Sequence, residues 1–148
     1  MADASSPPQN ILDIAPSLRE RGFRLIDAGE LYNLFSSFMA IIAGVAAAGT
    51  NQATATPIGP GVTVVSTVAT GAGVVLPTGL PGQTKTVVNT SANALLVYGN
   101  GGDQIIPLAS STPAASLSVP AGETAQLVAV TRTVGPPPVT TWKVVSLG

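Results

Sequence analysis

The chain has 148 residues with seven acidic and six basic side chains, and it contains neither histidine nor cysteine. The near-neutral charge argues against nucleic acid as a partner, because binding to a phosphate backbone needs a basic surface. Without cysteine there is no disulfide or thiolate metal site, and without histidine the commonest general base and transition-metal ligand are missing. This composition argues against an enzyme, and it predicts no cofactor and no bound metal.

The charged side chains are concentrated at the N-terminus. Residues 1–30 contain five acids and three arginines, whereas residues 31–148 contain five charges in total. The long remainder is apolar and poorly charged, which is the reverse of the composition of a disordered tail. We therefore predict a charged N-terminal arm over residues 1–26, and this arm lacks the basic start of a secretory signal peptide.

Apolar and arginine side chains alternate along this arm. Such a segment can become ordered on a partner, with the apolar residues as anchors and the arginines pairing with carboxylates. The alternative is that the arm folds onto its own oligomer. The candidate partner-contact residues of the arm are Ile11, Leu12, Ile14, Leu18, Arg19, Arg21, Phe23 and Arg24.

The next segment, residues 27–49, is predicted to be a helix. Asp27 followed by Glu30 has the spacing of a capping box, and Gly49 is typical of the residue just past a helix end. Apolar residues recur at alternating steps of three and four, as in a coiled coil, and a membrane span would not need this order. We interpret the stripe as an oligomer interface, although it could instead pack on the chain's own sheets. It consists of Leu31, Leu34, Phe35, Phe38, Ile41, Ile42 and Val45.

From residue 54 onward the apolar period changes to two, which is typical of β-strands. Turn residues separate eight predicted strands, at residues 62–68, 73–76, 84–89, 94–98, 104–108, 116–119, 124–131 and 140–146. Short strands with regular turns and no second long helix favour an antiparallel β-sandwich or jelly-roll-like body over residues 54–148. The predicted fold class is therefore mainly β, preceded by an extended arm and one α-helix.

No catalytic site is predicted in this β body. The loop Gly99–Asp103 looks like a calcium or phosphate loop, but it lacks neighbouring carboxylates and a P-loop lysine, which favours a tight turn. Asp103 and Glu123 are the only acids of the body, and no pattern brings them face to face as a glycosidase requires. Trp142 is interpreted as a core residue rather than as a platform for a sugar.

Four segments of the body form a series: the run VVNTSANALLVY at 87–98, then GDQI at 102–105, VPAGET at 119–124 and a late Trp142. This series, over roughly residues 60–146, resembles small virion proteins of tailed bacteriophages of the capsid decoration (cement) or head-fibre type. The resemblance implies a non-enzymatic β module on the outer capsid surface, often trimeric, with the major capsid protein as its partner. Similar modules occur in phage tail fibres and spikes, so recognition of a host-surface carbohydrate is the alternative.

We expect the chain to form a homotrimer through the predicted helix, because large apolar residues at both a and d positions permit a coiled coil of three helices. Leu34→Asp or Phe38→Asp should disrupt assembly, since either change would bury an unpaired charge. Light scattering at micromolar concentration should give a trimeric mass for the wild type and a smaller mass for either variant. A monomeric wild type would contradict the prediction.

Overall fold

A computed structural model describes residues 41–148, except residues 134 and 136. These residues form ten strands and no helix, and all eight predicted strands are present with ends within two residues of the predicted ones. Within the same range, no helix has the length and apolarity needed to cross a membrane. The strands are β1 (Ile41–Ala47), β2 (Thr56–Pro57), β3 (Gly61–Val68), β4 (Gly73–Val75), β5 (Thr84–Asn89), β6 (Leu95–Tyr98), β7 (Gln104–Ile106), β8 (Ser116–Val119), β9 (Thr124–Arg132) and β10 (Thr140–Leu147).

Residues 41–47 form strand β1, although they were predicted to be helical. They were expected to form the C-terminal part of the predicted helix, but they pair in parallel with β3, with Ile41 opposite Val62 and Ala47 opposite Val68. The segment contains β-branched residues that fit a pleated sheet, and Gly44 has a φ of 74°, which a right-handed helix does not allow. Residues 27–40 of the predicted helix lie outside the described residues, as does the whole predicted arm.

The strands form two sheets, and the chain alternates between them from β1 to β8. One sheet has the order β1-β3-β5-β9-β10-β7 and the other has the order β2-β4-β6-β8. Because each strand returns to its own sheet after a crossing, β1, β3 and β5 pair in parallel, and so do β2, β4 and β6. This part of the chain therefore winds in the manner of a solenoid, and β7 also runs parallel to β10.

The described body is mainly β, as predicted, but its sheets are mixed and not wholly antiparallel. Among the described strands, antiparallel pairing joins β5 to β9, β9 to β10, and β6 to β8. The period of two is the same in parallel and antiparallel strands, so the pattern predicted the strands without fixing their directions. The direction is decided by connections that lead to the opposite sheet instead of turning back as hairpins.

The hydrophobic core lies between the inner faces of the two sheets. It contains Trp142, which is 1% exposed, so the interpretation of this residue as part of the core is confirmed. The indole lies against Gly79, where an added Cβ would come within 2.5 Å of Trp142 Cζ2. The largest aliphatic members that are fully buried are Val65, Val74, Leu76, Val87, Leu95, Val97, Ile105, Val119, Leu127 and Val144.

We expect Leu127→Ala to lower the free energy of unfolding by about 2–5 kcal/mol, because it opens a cavity at a side chain with no exposed surface. Leu80→Ala is the matched control: this leucine is 51% exposed, so the loss should stay within about 0.5 kcal/mol. Chemical denaturation of both variants at equal protein concentration checks the difference. Equal losses would contradict the position of β9 in the core.

Candidate functional site

Three of the seven residues of the predicted oligomer stripe lie in the part of the chain that the structure describes. Leu31, Leu34, Phe35 and Phe38 lie outside the described residues, as do the eight predicted capsid-contact residues of the arm. The other three members lie on β1, where Ile41 is 69% exposed, Ile42 is 40% exposed and Val45 packs against the core. The structure thus places three stripe residues on one strand, and two of them present apolar surface to solvent.

Strand β1 forms one edge of the six-stranded sheet. Its seven residues include no charge and no proline, and no residue of the described chain pairs with its outer side. Edge strands offer unpaired backbone groups to other chains, and charges, prolines and bulges are the usual protection. The register of β1 against β3 shifts on both sides of Val45, so the edge is bent but uncharged.

The remaining edges are shorter. Strand β2 has two residues and includes Pro57, which has no N–H to offer. Strand β7 has three residues, and Ile105 exchanges two backbone hydrogen bonds with Ala114, of 3.1 and 2.7 Å. Strand β8 has four residues. Strand β1 is therefore the longest edge strand in the described part of the chain, and we identify it as the candidate interaction surface.

The Gly99–Asp103 loop is a tight turn, as predicted, with the Asp103 N–H donating to the Asn100 carbonyl at 2.9 Å. The carboxylate of Asp103 is buried, and its Oδ1 accepts a hydrogen bond from the Thr140 N–H at 2.6 Å. Thr140 in turn donates its hydroxyl to the Gly79 carbonyl at 3.1 Å. The only acid of the loop therefore fastens the first residue of β10 to the fold.

Lys85 is an almost completely buried charged residue, with 1% of its surface exposed. Its Nζ donates to the Gly59 carbonyl and to the Thr63 hydroxyl, both at 2.6 Å, and neither partner is a carboxylate. Burial lowers the pKa of Lys85 from 10.5 to about 8. Sequence reasoning missed this residue, although the period of two places Lys85 on the same face as Val87, which is the core face.

Lys143 also bonds to backbone groups of its own chain. Its Nζ donates to the carbonyls of Pro107 at 3.0 Å and Ser110 at 2.8 Å, which holds the loop after β7. Three of the five charged side chains in residues 41–148 are therefore bound to the protein's own polar groups. Among the residues with described positions, no three His, Cys, Asp or Glu side chains are close enough together to hold a metal ion.

A cleft of about 510 Å³ lies beside the Gly99–Asp103 turn. Tyr98 lines it and donates its hydroxyl to the Thr50 carbonyl at 2.9 Å, and Gln52 donates its side-chain amide to the Gly99 carbonyl. Asp103 also lines the cleft, and its Oδ2 is buried with no hydrogen-bond partner in the described part of the structure. The cleft therefore combines amide groups, an aromatic ring and an acid with unused acceptor capacity.

Comparison with known proteins finds no match to this chain, whether among protein families, curated proteins or solved structures. The functional interpretation therefore depends on the residues themselves. Among the described residues, the charged groups of Lys85, Asp103 and Lys143 are bonded within the fold.

We expect the free energy of unfolding to rise between pH 8 and pH 10.5. In this window Lys85 is losing its proton in the folded protein, where its pKa is about 8, but keeps it in the unfolded chain. The unfolded state then binds more protons, and stability increases with pH, by about 1–3 kcal/mol for this residue. Below pH 8 the amine is charged in both states and the whole burial penalty is present.

Urea denaturation at pH 7 and pH 10 measures this effect by comparing the wild type with Lys85→Met. The variant should lack this contribution, whereas Lys143→Met, which alters a less buried lysine, should retain it. An identical pH dependence in the wild type and Lys85→Met would show that Lys85 is not the responsible group.

Proposed function

We propose that the chain is a non-enzymatic structural protein of a phage virion that binds the outer surface of the capsid and decorates or stabilises it. The observation that carries this proposal is the internal use of charge: Lys85, Asp103 and Lys143 all bind groups of their own fold. Catalysis by general acids, bases or activated nucleophiles needs such groups directed at a substrate. A rigid body whose lysines and Asp103 are bonded within the fold suits a static part of a particle.

The attachment is proposed to use the N-terminal arm, because residues 1–30 contain eight of the chain's thirteen charged side chains. Burying its large apolar side chains against the major capsid protein contributes about 1.5–3 kcal/mol for each one fully buried, before the cost of ordering the arm. Arg19, Arg21 and Arg24 then set the register through carboxylates of the shell. Because such a protein binds only the assembled shell, it stabilises that state by mass action.

Self-association is the second part of the proposal, with a homotrimer as the functional unit. The stripe residues Leu31, Leu34, Phe35 and Phe38 supply the contact, and the exposed stripe residues Ile41 and Ile42 of β1 continue it onto the β body. Three bodies with three arms bind the shell more strongly than one, because the second and third contacts become intramolecular.

The cleft beside Tyr98 favours a second candidate function, a tail-fibre or spike module that recognises a carbohydrate on the host surface. Its lining includes the exposed amide side chains of Asn51 and Gln104, which are groups that bind sugar hydroxyls. Immunogold labelling of the phage that encodes the chain separates the two candidates, because decoration places label on the head and a fibre places it on the tail. Label on neither would contradict both.

We expect deletion of residues 1–24 to leave a folded β oligomer and to abolish its cosedimentation with purified capsids of that phage, because the proposed docking residues are removed. The matched control is the triple variant R19K/R21K/R24K, which keeps the charge and removes the bidentate geometry. It should bind measurably, but less well than the wild type. If the truncated protein bound capsids at wild-type occupancy, the capsid contact would have to lie in the stripe or in the β body.

A further inference from the structure

We propose that Lys85 and Trp142 form a binding site for a small carboxylate, in a cleft where β3 and β5 begin. The cleft has a volume of about 230 Å³ and is lined by both of these residues, by Pro60 and Pro77, and by residues 82–84. The proposal does not depend on the virion function, since it follows from the donors that this cleft contains.

The first observation is an indole without an acceptor. Trp142 is 1% exposed, and its Nε1 is buried with no hydrogen-bond partner in the described part of the structure. Buried polar groups are nearly always hydrogen-bonded, and an indole N–H can only donate. A partner for this N–H must therefore be an acceptor, and the proposal assigns its entry to the cleft that Trp142 lines.

The second observation is an ammonium without a counter-ion. Lys85 Nζ has three N–H groups and donates to two neutral oxygens, the Gly59 carbonyl and the Thr63 hydroxyl. Asp103 Oδ1 is bound to Thr140, and the Glu123 carbonyl is bonded to the N–H of Asn89, at the opposite end of β5 from Lys85. That end is about 13 Å away at 3.3 Å per residue. The positive charge is therefore desolvated in the lining of the same cleft as the orphan indole, and no acid of the described residues is bonded to it.

These two donors define the class of ligand. A positive charge and a donor-only group select a negatively charged acceptor, and a carboxylate can accept from both through its two oxygens. The volume is below the 300–1,000 Å³ usual for larger ligands, so the site fits acetate or a group of glutamate side-chain size. Pro60 and Pro77 supply apolar walls without N–H groups, which suits the aliphatic part of such a ligand.

The test uses the full chain and the fact that Trp142 is its only tryptophan. The indole N–H then gives a single NMR signal, which is followed during titration with sodium acetate at constant ionic strength. Acetamide, the neutral analogue of nearly the same shape, is titrated in parallel. We expect a saturable shift of the indole signal with acetate and none with acetamide, since only acetate carries the charge that Lys85 selects.

The response should depend on the charge of Lys85. Acetate binding should weaken about tenfold or more between pH 7 and pH 10, as the amine loses its proton. Lys85→Met should abolish the saturable shift, and Lys143→Met, the matched control, should keep it. The pH comparison uses wild-type protein alone, so it decides the matter even if Lys85→Met does not fold.

Three results would each overturn the site. One is an indole signal that does not saturate with acetate up to about 100 mM, a dissociation constant too weak for a built site. Another is an equal shift with acetamide, which would show a neutral acceptor pocket. The third is acetate binding that is unchanged at pH 10.

Discussion

The need for every strand to bury one face in a single shared core governs this structure. The chain meets it by alternating between two sheets, so that inward residues such as Val87 and Val97 face each other across the core. Polar groups that fall on the inward face must then find partners inside. Asn89 shows the consequence: its side-chain amide donates to the carbonyls of Asn93, Val119 and Pro120, which ties β5 to the end of β8.

The same constraint explains the chemistry of the charged residues. Lys85 and Thr63 lie on the inward faces of adjacent strands, where Lys85 donates to the Thr63 hydroxyl and also to the Gly59 carbonyl in the loop before β3. Asp103 is used in the same way at the start of β10. Buried polar groups that find no partner among their neighbours then indicate where a ligand from outside the chain binds. The indole of Trp142 is such a group, and it lines the same cleft as Lys85, where an outside acceptor is proposed to bind.

The strands and the burial of Trp142 could be predicted because the period of two and the turn residues are local signals. Strand direction could not, since a turn such as Pro81-Gly82 looks the same whether the chain reverses or crosses to the other sheet. The segment 41–47 was misassigned because Ile41 and Val45 are also helically spaced, and pairing with β3 overrode that spacing. The Lys85–Trp142 cleft could not be predicted because its lining residues are distant in sequence. The alternation of β5 did place Lys85 on the inward face.

The parallel pairing of β1 with β3 has a mechanical consequence. Tension that is transmitted along the axis of β1 from its first residue acts on its hydrogen bonds with β3 side by side, in shear, so that they must fail together. Tension applied across the strand would instead open them one at a time, like a zipper. The entry to the β body is therefore built to resist a lengthwise pull.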